Sequence, residues 1–247
     1  MTLKRRIYAT IEARMTSSRL PGKVLMQAAG KPMLEHMIER ISRAQMLDGI
    51  VVATTKNKTD DPIVELADRM GVGCFRGSEV DVLGRVLCAA RTNNVDVIVE
   101  TTGDCPLIDP SLIDLCINSF LDTDVDYVSN ILHRTFPVGM DIQVFSTDVL
   151  ADVAKRTSEP DDREHVSLYI YRHPEIYTLK NIPASDEFAR ADLSLTLDTQ
   201  ADFDLLRIIF EKLYPVNPLF GLSEIIALIE SNPDLTKINS HVRRNHV

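Results

Sequence analysis

Between Ala13 and Lys23 the chain reads Ala-Arg-Met-Thr-Ser-Ser-Arg-Leu-Pro-Gly-Lys, which gathers Arg14, Arg19, Lys23 and the hydroxyls of Ser17 and Ser18 into one short segment. Arginine presents a planar fork that grips phosphate oxygens in pairs, lysine adds a compact charge, and serine hydroxyls donate further hydrogen bonds. The segment follows Ile7-Tyr8-Ala9-Thr10-Ile11, which reads as a buried strand. It therefore leaves a strand's carboxyl end, where open α/β sheets bind ligands. The chemistry suits a polyphosphate. Neither a Walker spacing nor a Gly-x-Gly-x-x-Gly fingerprint occurs, so any phosphate grip is built from side chains rather than a glycine cradle.

Two aspartates extend the pattern. Asp104 follows the apolar run Val95-Asp96-Val97-Ile98-Val99 within Thr101-Thr102-Gly103-Asp104-Cys105-Pro106, and Asp198 closes Ser194-Leu195-Thr196-Leu197. If both runs are strands of one sheet, both carboxylates reach the edge that carries the basic loop. Together they suit one Mg²⁺, which favours a few hard oxygen ligands and completes its shell with water and phosphate oxygens. Either aspartate alone is equally well read as a turn or capping residue.

The elements that must position these groups alternate. Strands are expected at 7–11, 50–54, 74–76 and 95–99, and helices at 33–44, from Asp61-Pro62 to Met70, at 81–92 and after Asp109-Pro110. Strands separated by helices imply a mostly parallel sheet. The β signal returns at 125–128 and 140–145 across a polar connection, 133–139, and a helix is expected at 162–171. A β-rich insertion over about 130–195 within a single domain spanning 1–247 accounts for that departure. Near the end, 194–198 reads as a strand. Thr199 with Asp202 forms a capping-box pattern for a helix to Leu213, and a last helix is expected at 223–230. The tail His241-Val242-Arg243-Arg244-Asn245-His246 reads as a frayed end.

Composition narrows the function classes. The 247 residues carry a formal net charge of −9, which opposes binding to nucleic acid or an anionic membrane while leaving local basic loops free to bind small anions. Cys74, Cys88, Cys105 and Cys116 show no Cys-x-x-Cys pairing, and the six histidines include no His-Glu-x-x-His, so neither a zinc site nor a disulfide framework is indicated. The apolar run after Lys4-Arg5-Arg6 is too short for a signal-peptide core or a membrane span, and a cytoplasmic enzyme is expected.

Taken in order, Ala13-Arg14, Ser18-Arg19-Leu20-Pro21-Gly22-Lys23, Thr102-Gly103-Asp104-Cys105-Pro106-Leu107-Ile108, Asp162-Arg163-Glu164-His165-Val166, Tyr169-Ile170-Tyr171-Arg172-His173-Pro174 and Leu197-Asp198-Thr199 resemble the cytidylyltransferases that activate acidic sugars. These include the 3-deoxy-manno-octulosonate and acylneuraminate enzymes and the spore coat polysaccharide biosynthesis protein F group. The resemblance implies a three-layer, Rossmann-like, glycosyltransferase-A-like α/β fold and transfer of CMP from CTP to an acidic sugar, with release of pyrophosphate, for surface glycan synthesis. It implies that Arg14 and Lys23 hold the triphosphate with Ala13, Ser17, Ser18 and Arg19, that Asp104 and Asp198 coordinate Mg²⁺, and that Ala53, Thr54 and Arg76 lie where cytosine is read. A homodimer is expected from the same resemblance, with Met140 to Phe145 as a candidate apolar surface.

In the insertion, Arg134, Asp141, Gln143, Arg163, Glu164 and His165 supply polar groups for an acceptor, and Asp141 and Asp198 are candidates to take its proton. Other readings stay open at this level: another nucleoside triphosphate, a sugar-phosphate or phosphonate acceptor, or a glycosyltransferase using a preformed nucleotide-sugar.

Overall fold

The computed structural model describes residues 4–243; Arg244, Asn245 and His246 of the expected frayed tail lie outside them. Ile7–Glu12 forms β1, whose odd-numbered side chains Ile7, Ala9 and Ile11 enter one core while Tyr8 packs against the other. That two-faced burial follows from the two-residue period of a strand covered by helices on both sides. β1 is flanked by parallel partners, β4 (Gly49–Thr55) and β6 (Val97–Thr102), and β5 (Gly73–Gly77) lies beyond β4. Before them, β2 (Gln27–Ala28) and β3 (Lys31–Pro32) make a small hairpin.

Beyond β6 the sheet changes sense. β8 (Gln143–Ser146) runs antiparallel to β6 and to β7 (Tyr127–Ser129), and β9 (Leu179–Asn181) runs parallel to β7. The order β5-β4-β1-β6-β8-β7-β9 is thus a mixed sheet with a parallel half, in agreement with the expected fold class. Two strands from 130–195 are members of this sheet.

On one face pack α1 (Met33–Ile41), α2 (Asp61–Met70), α4 (Pro110–Leu121), α8 (Gln200–Leu213) and α9 (Leu222–Ser231). Met33 and Met37 are fully buried there, as filler between α1 and the sheet. The other face carries α3 (Val82–Thr92), α5 (Thr147–Arg156) and α7 (Leu168–Arg172), preceded by the short α6 (Pro160–Glu164). Local signals set several ends. Asp109 caps α4 through Ser111 N at 2.9 Å, with Pro110 in the first turn. Thr199 and Asp202 form the expected capping box of α8. Among the described residues, no helix is long and apolar enough to cross a membrane.

Three expectations need correction, and one helix went unforeseen. Residues 194–198 are extended but do not form a strand: one bridge joins Ser194 to Val138, and further on the Leu197 amide donates to the Asp104 carbonyl at 2.7 Å. The neighbouring backbone is loop, which offers no continuous ladder. The helix expected at 162–171 is two helices, because His165 leaves the helical region at φ −105° and ψ 84°, and the Ser167 hydroxyl turns to the Gln143 amide oxygen. Helix α5 was not anticipated; Ser146 caps it through Val149 N at 3.1 Å. Finally, Met140, Ile142, Val144 and Phe145 have no exposed area, so the run 140–145 fills the core and offers no apolar dimer surface.

Candidate active site

The site begins where β1 and β6 end side by side. Glu12 pairs with Thr102 in the parallel register, so the basic loop leaves one strand beside the turn that carries Asp104. Gly103 makes that approach possible: its amide donates to the Glu12 carbonyl at 2.9 Å, and a Cβ there would stand 2.9 Å from the same oxygen. The loop itself is pinned at both ends. Met15 N donates to Asp60 Oδ1 at 2.8 Å, and the fully buried Asp60 also accepts from Thr54 Oγ1, Thr55 N and Thr55 Oγ1. Gly22, at φ +73°, turns the chain so that its amide meets the Met15 carbonyl at 2.9 Å. The short 3₁₀ turn that follows, Lys23–Leu25, buries Val24 and holds Lys23 toward the sheet edge.

There Lys23 Nζ lies 3.0 Å from Asp198 Oδ1 and 3.6 Å from Asp104 Oδ2. Arg19 reaches the same Asp198 oxygen at 2.9 Å, while Arg14 lies 3.6 Å from Glu79. Asp198 is held by the start of α8, its amide donating to Asp202 Oδ2 at 3.2 Å, and Asp104 accepts from Thr102 Oγ1 at 2.5 Å. Two carboxylates that already share one ammonium fit a divalent cation, because hard oxygen donors converge on one point and leave the remaining positions to water and phosphate. Among the described residues no group of three or more His, Cys, Asp or Glu side chains gathers as a metal site, so the protein would supply only part of such a shell.

These groups open on a cleft of about 430 Å³ that also takes in Ala13, Ser17, Ser18 and, on the far side, Gln143, Glu164, His165, Ser167 and Tyr171. The floor holds three ionisable groups that the sequence reading passed over: Glu12, Glu100 and Arg85. Burial raises the Glu12 carboxyl well above the usual carboxylate range, Glu100 adds to the shift and Arg85 opposes it. Burial pushes Glu100 up to about 8, with the Ser167 hydroxyl offsetting part of the shift. Burial lowers the Arg85 guanidinium, which Glu12 partly sustains. A signal for all three was present: Glu12 and Glu100 each directly follow an apolar strand run, and Arg85 shares a helix face with Val82, Val86 and Ala89.

Other expected site residues fall elsewhere. Ala53 and Thr54 are fully buried and do not reach the cleft. Arg76 spans Thr55 O at 2.8 Å, Asn57 O at 2.6 Å and Asp61 Oδ1 at 2.6 Å, fastening the turn between β4 and α2. Arg134 and Asp141 form a two-point ion pair at 2.6 and 2.9 Å and also stay outside the cleft. Arg163 pairs with Asp81 at 2.7 Å in an adjoining recess that shares Arg14 and Glu164 with the cleft.

The family model described as cytidylyltransferase matches residues 8–235. The chain is 34% identical over 233 residues to the spore coat polysaccharide biosynthesis protein SpsF of Bacillus subtilis, covering 92% of this chain and 95% of that protein. It is 30% identical over 199 residues to a 3-deoxy-manno-octulosonate cytidylyltransferase of Solibacter usitatus, covering 73% and 77%. A solved cytidylyltransferase structure from Leptospira borgpetersenii superposes with a TM-score of 0.90 at 33% identity, over 98% of this chain and 100% of that one.

Proposed function

The chain belongs to the cytidylyltransferase family, and from that premise we propose that it transfers CMP from CTP to an acidic sugar, releasing pyrophosphate with the help of Mg²⁺. The observation that carries this reading is the convergence of Lys23 and Arg19 on Asp198, with Asp104 beside them, at the mouth of a cleft lined on its far side by Gln143, Ser167 and Tyr171. Cations for a triphosphate and hydrogen-bonding groups for a polyhydroxylated acceptor thus share one cavity. The acidic-sugar part of the proposal draws on the Solibacter usitatus relative.

In this reading an acceptor hydroxyl oxygen forms a bond to the α-phosphorus while the bond from that phosphorus to the bridging α,β-oxygen breaks. Arg14, Arg19 and Lys23 neutralise the negative charge that moves onto the departing pyrophosphate, and their fixed positions make that stabilisation immediate. Asp104 and Asp198 would hold Mg²⁺, which would supply further neutralisation and make a nearby hydroxyl more acidic. In this reading Asp198 takes the hydroxyl proton, because the other candidate, Asp141, is committed to Arg134 outside the cleft. Glu164 and His165 stand exposed at the rim, where they contact an acceptor as it enters.

The test is calorimetric titration with CTP, UTP, GTP and ATP, each with and without Mg²⁺, followed by pyrophosphate-release assays with 3-deoxy-manno-octulosonate and N-acetylneuraminate. Selective, magnesium-strengthened CTP binding and pyrophosphate release are expected. A preference for another triphosphate, or binding of nucleotide-sugars alone, overturns the proposal.

A further inference from the structure

Lys23 and Arg19 converge on Asp198, yet that residue belongs to neither a strand nor a helix. The segment 194–198 is extended loop, so contacts from outside it must set where the carboxylate stands. Its end is held from α8: the amides of Asp198 and Thr199 both donate to Asp202 Oδ2, at 3.2 and 2.9 Å. Asp202 is fully buried, and its other oxygen, Oδ1, accepts from Asn239 Nδ2 at 2.8 Å. The same Nδ2 donates to the Ser194 carbonyl at 3.0 Å. An amide nitrogen carries two hydrogens, so Asn239 makes both bonds at once. One side chain thus clasps the segment at its start and, through Asp202, at its end.

Asn239 follows the 3₁₀ turn Pro233–Ile238, which packs against α8 and α9, and it is only 5% exposed. It lies beyond residues 8–235, the span that the family model matches. Capping of α8 does not call for it, because the box of Thr199 and Asp202 uses Oδ2, whereas Asn239 engages Oδ1. Within the clasped segment, the Leu197 amide and the Thr196 hydroxyl donate to the Asp104 carbonyl at 2.7 and 3.2 Å. A shift of 194–198 would therefore change how Asp198 stands relative to Asp104.

We propose that Asn239 is a positioning residue for the metal-bound triphosphate: from outside the cleft it fixes the spacing of the Asp104 and Asp198 carboxylates. This deepens the cytidylyltransferase reading and rests on its assignment of Mg²⁺ to those two carboxylates. Mg²⁺ demands near-ideal octahedral geometry, so it tolerates a displaced ligand poorly. Groups that orient a metal's ligands without touching the metal typically contribute roughly 10- to 100-fold to its affinity.

The experiment measures CTP dissociation constants in Mg²⁺ and in EDTA for the full chain and for Asn239→Ala, Asn239→Asp and Asn239→Ser, with thermal melts to confirm folding. Alanine removes the donor, aspartate keeps the size but sets an oxygen against Asp202, and serine, the gentlest change, retains one donor of the two. The readout is the factor by which Mg²⁺ strengthens CTP binding. That factor is expected to fall by about tenfold or more in the alanine and aspartate variants and by less in the serine variant. Binding in EDTA, carried by Arg14, Arg19 and Lys23, is expected to stay that of the wild type. Equal weakening in Mg²⁺ and in EDTA marks a residue of the fold alone and overturns the proposal, as does an unchanged factor or loss of folding in all three variants. In each of those cases a wild-type protein whose CTP binding Mg²⁺ strengthens leaves the cytidylyltransferase reading standing. A wild-type protein that binds CTP no better with Mg²⁺ overturns the metal assignment and the proposal with it.

Discussion

At the level of single residues, the site depends on a few charges held in fixed positions. Lys23 has two carboxylates within 3.6 Å, so its ammonium is already localised before a ligand arrives. Lys23→Ala and Asp104→Asn are each expected to lower turnover by roughly 10² to 10³, the loss typical of removing one contact to charge that develops in a transition state. Far-ultraviolet circular dichroism should remain that of the wild type, and full activity in either variant would remove that residue from the mechanism. Glu100 makes a different prediction. In the unfolded chain its carboxyl ionises near its ordinary value of 4.5; in the folded protein burial delays this to about 8. The folded state therefore keeps its full stability below pH 4.5 and loses part of it as pH rises toward 8, because the unfolded chain releases a proton that the folded chain retains. Urea midpoints at pH 5 and pH 8 should fall further apart in the wild type than in Glu100→Gln; equal separations would show that Glu100 does not titrate this way.

Elements turn those residues into a site. The basic loop was legible from its composition, but its tether was not. Asp60 stands next to Asp61-Pro62, where a helix cap is the natural reading, yet its carboxylate leaves the helix end and bonds Met15, Thr54 and Thr55 instead. Only the packing of the loop against β4 makes that choice, since in sequence Met15 and Asp60 are far apart. Asp60→Ala is expected to destabilise the fold by about 2–3 kcal/mol, as it strands several buried donors, and to weaken triphosphate binding as well. Denaturant unfolding and nucleotide titration would check the two effects, and an unaltered urea midpoint would contradict the first. Gly22 and Gly103 were visible as glycines, but their reasons differ. Gly22 supplies a positive φ, whereas Gly103 supplies clearance for the Glu12 carbonyl. The division of the expected helix at 162–171 also matters at this scale, because the break at His165 brings Ser167 onto Gln143 and so shapes the far side of the cleft.

The whole molecule joins a parallel half that suits a nucleotide to a mixed half that lines the rest of one cleft. Since a ligand that binds only the folded state stabilises it by about 2.7 kcal/mol at one hundred times its dissociation constant, CTP with Mg²⁺ should raise the melting temperature by several degrees. Chelation of the metal should remove most of that increase, and an increase that survives chelation would separate nucleotide binding from Asp104 and Asp198. Taken by itself, the amino-acid sequence determined the alternating elements of the first half, the basic loop at a strand's end, and the two aspartates at strand or loop termini. Each of those rests on local periodicity or on residue chemistry that any conformation retains. The tertiary structure alone decided that 194–198 passes beside Asp104 without becoming a strand, that 140–145 is core, and that Arg76 and Asp141 spend their charges on structural partners. It also decided that Glu12, Glu100 and Arg85 meet at one floor. These outcomes depend on which distant segments become neighbours, and burial and pairing energies are set by neighbours rather than by position in the chain.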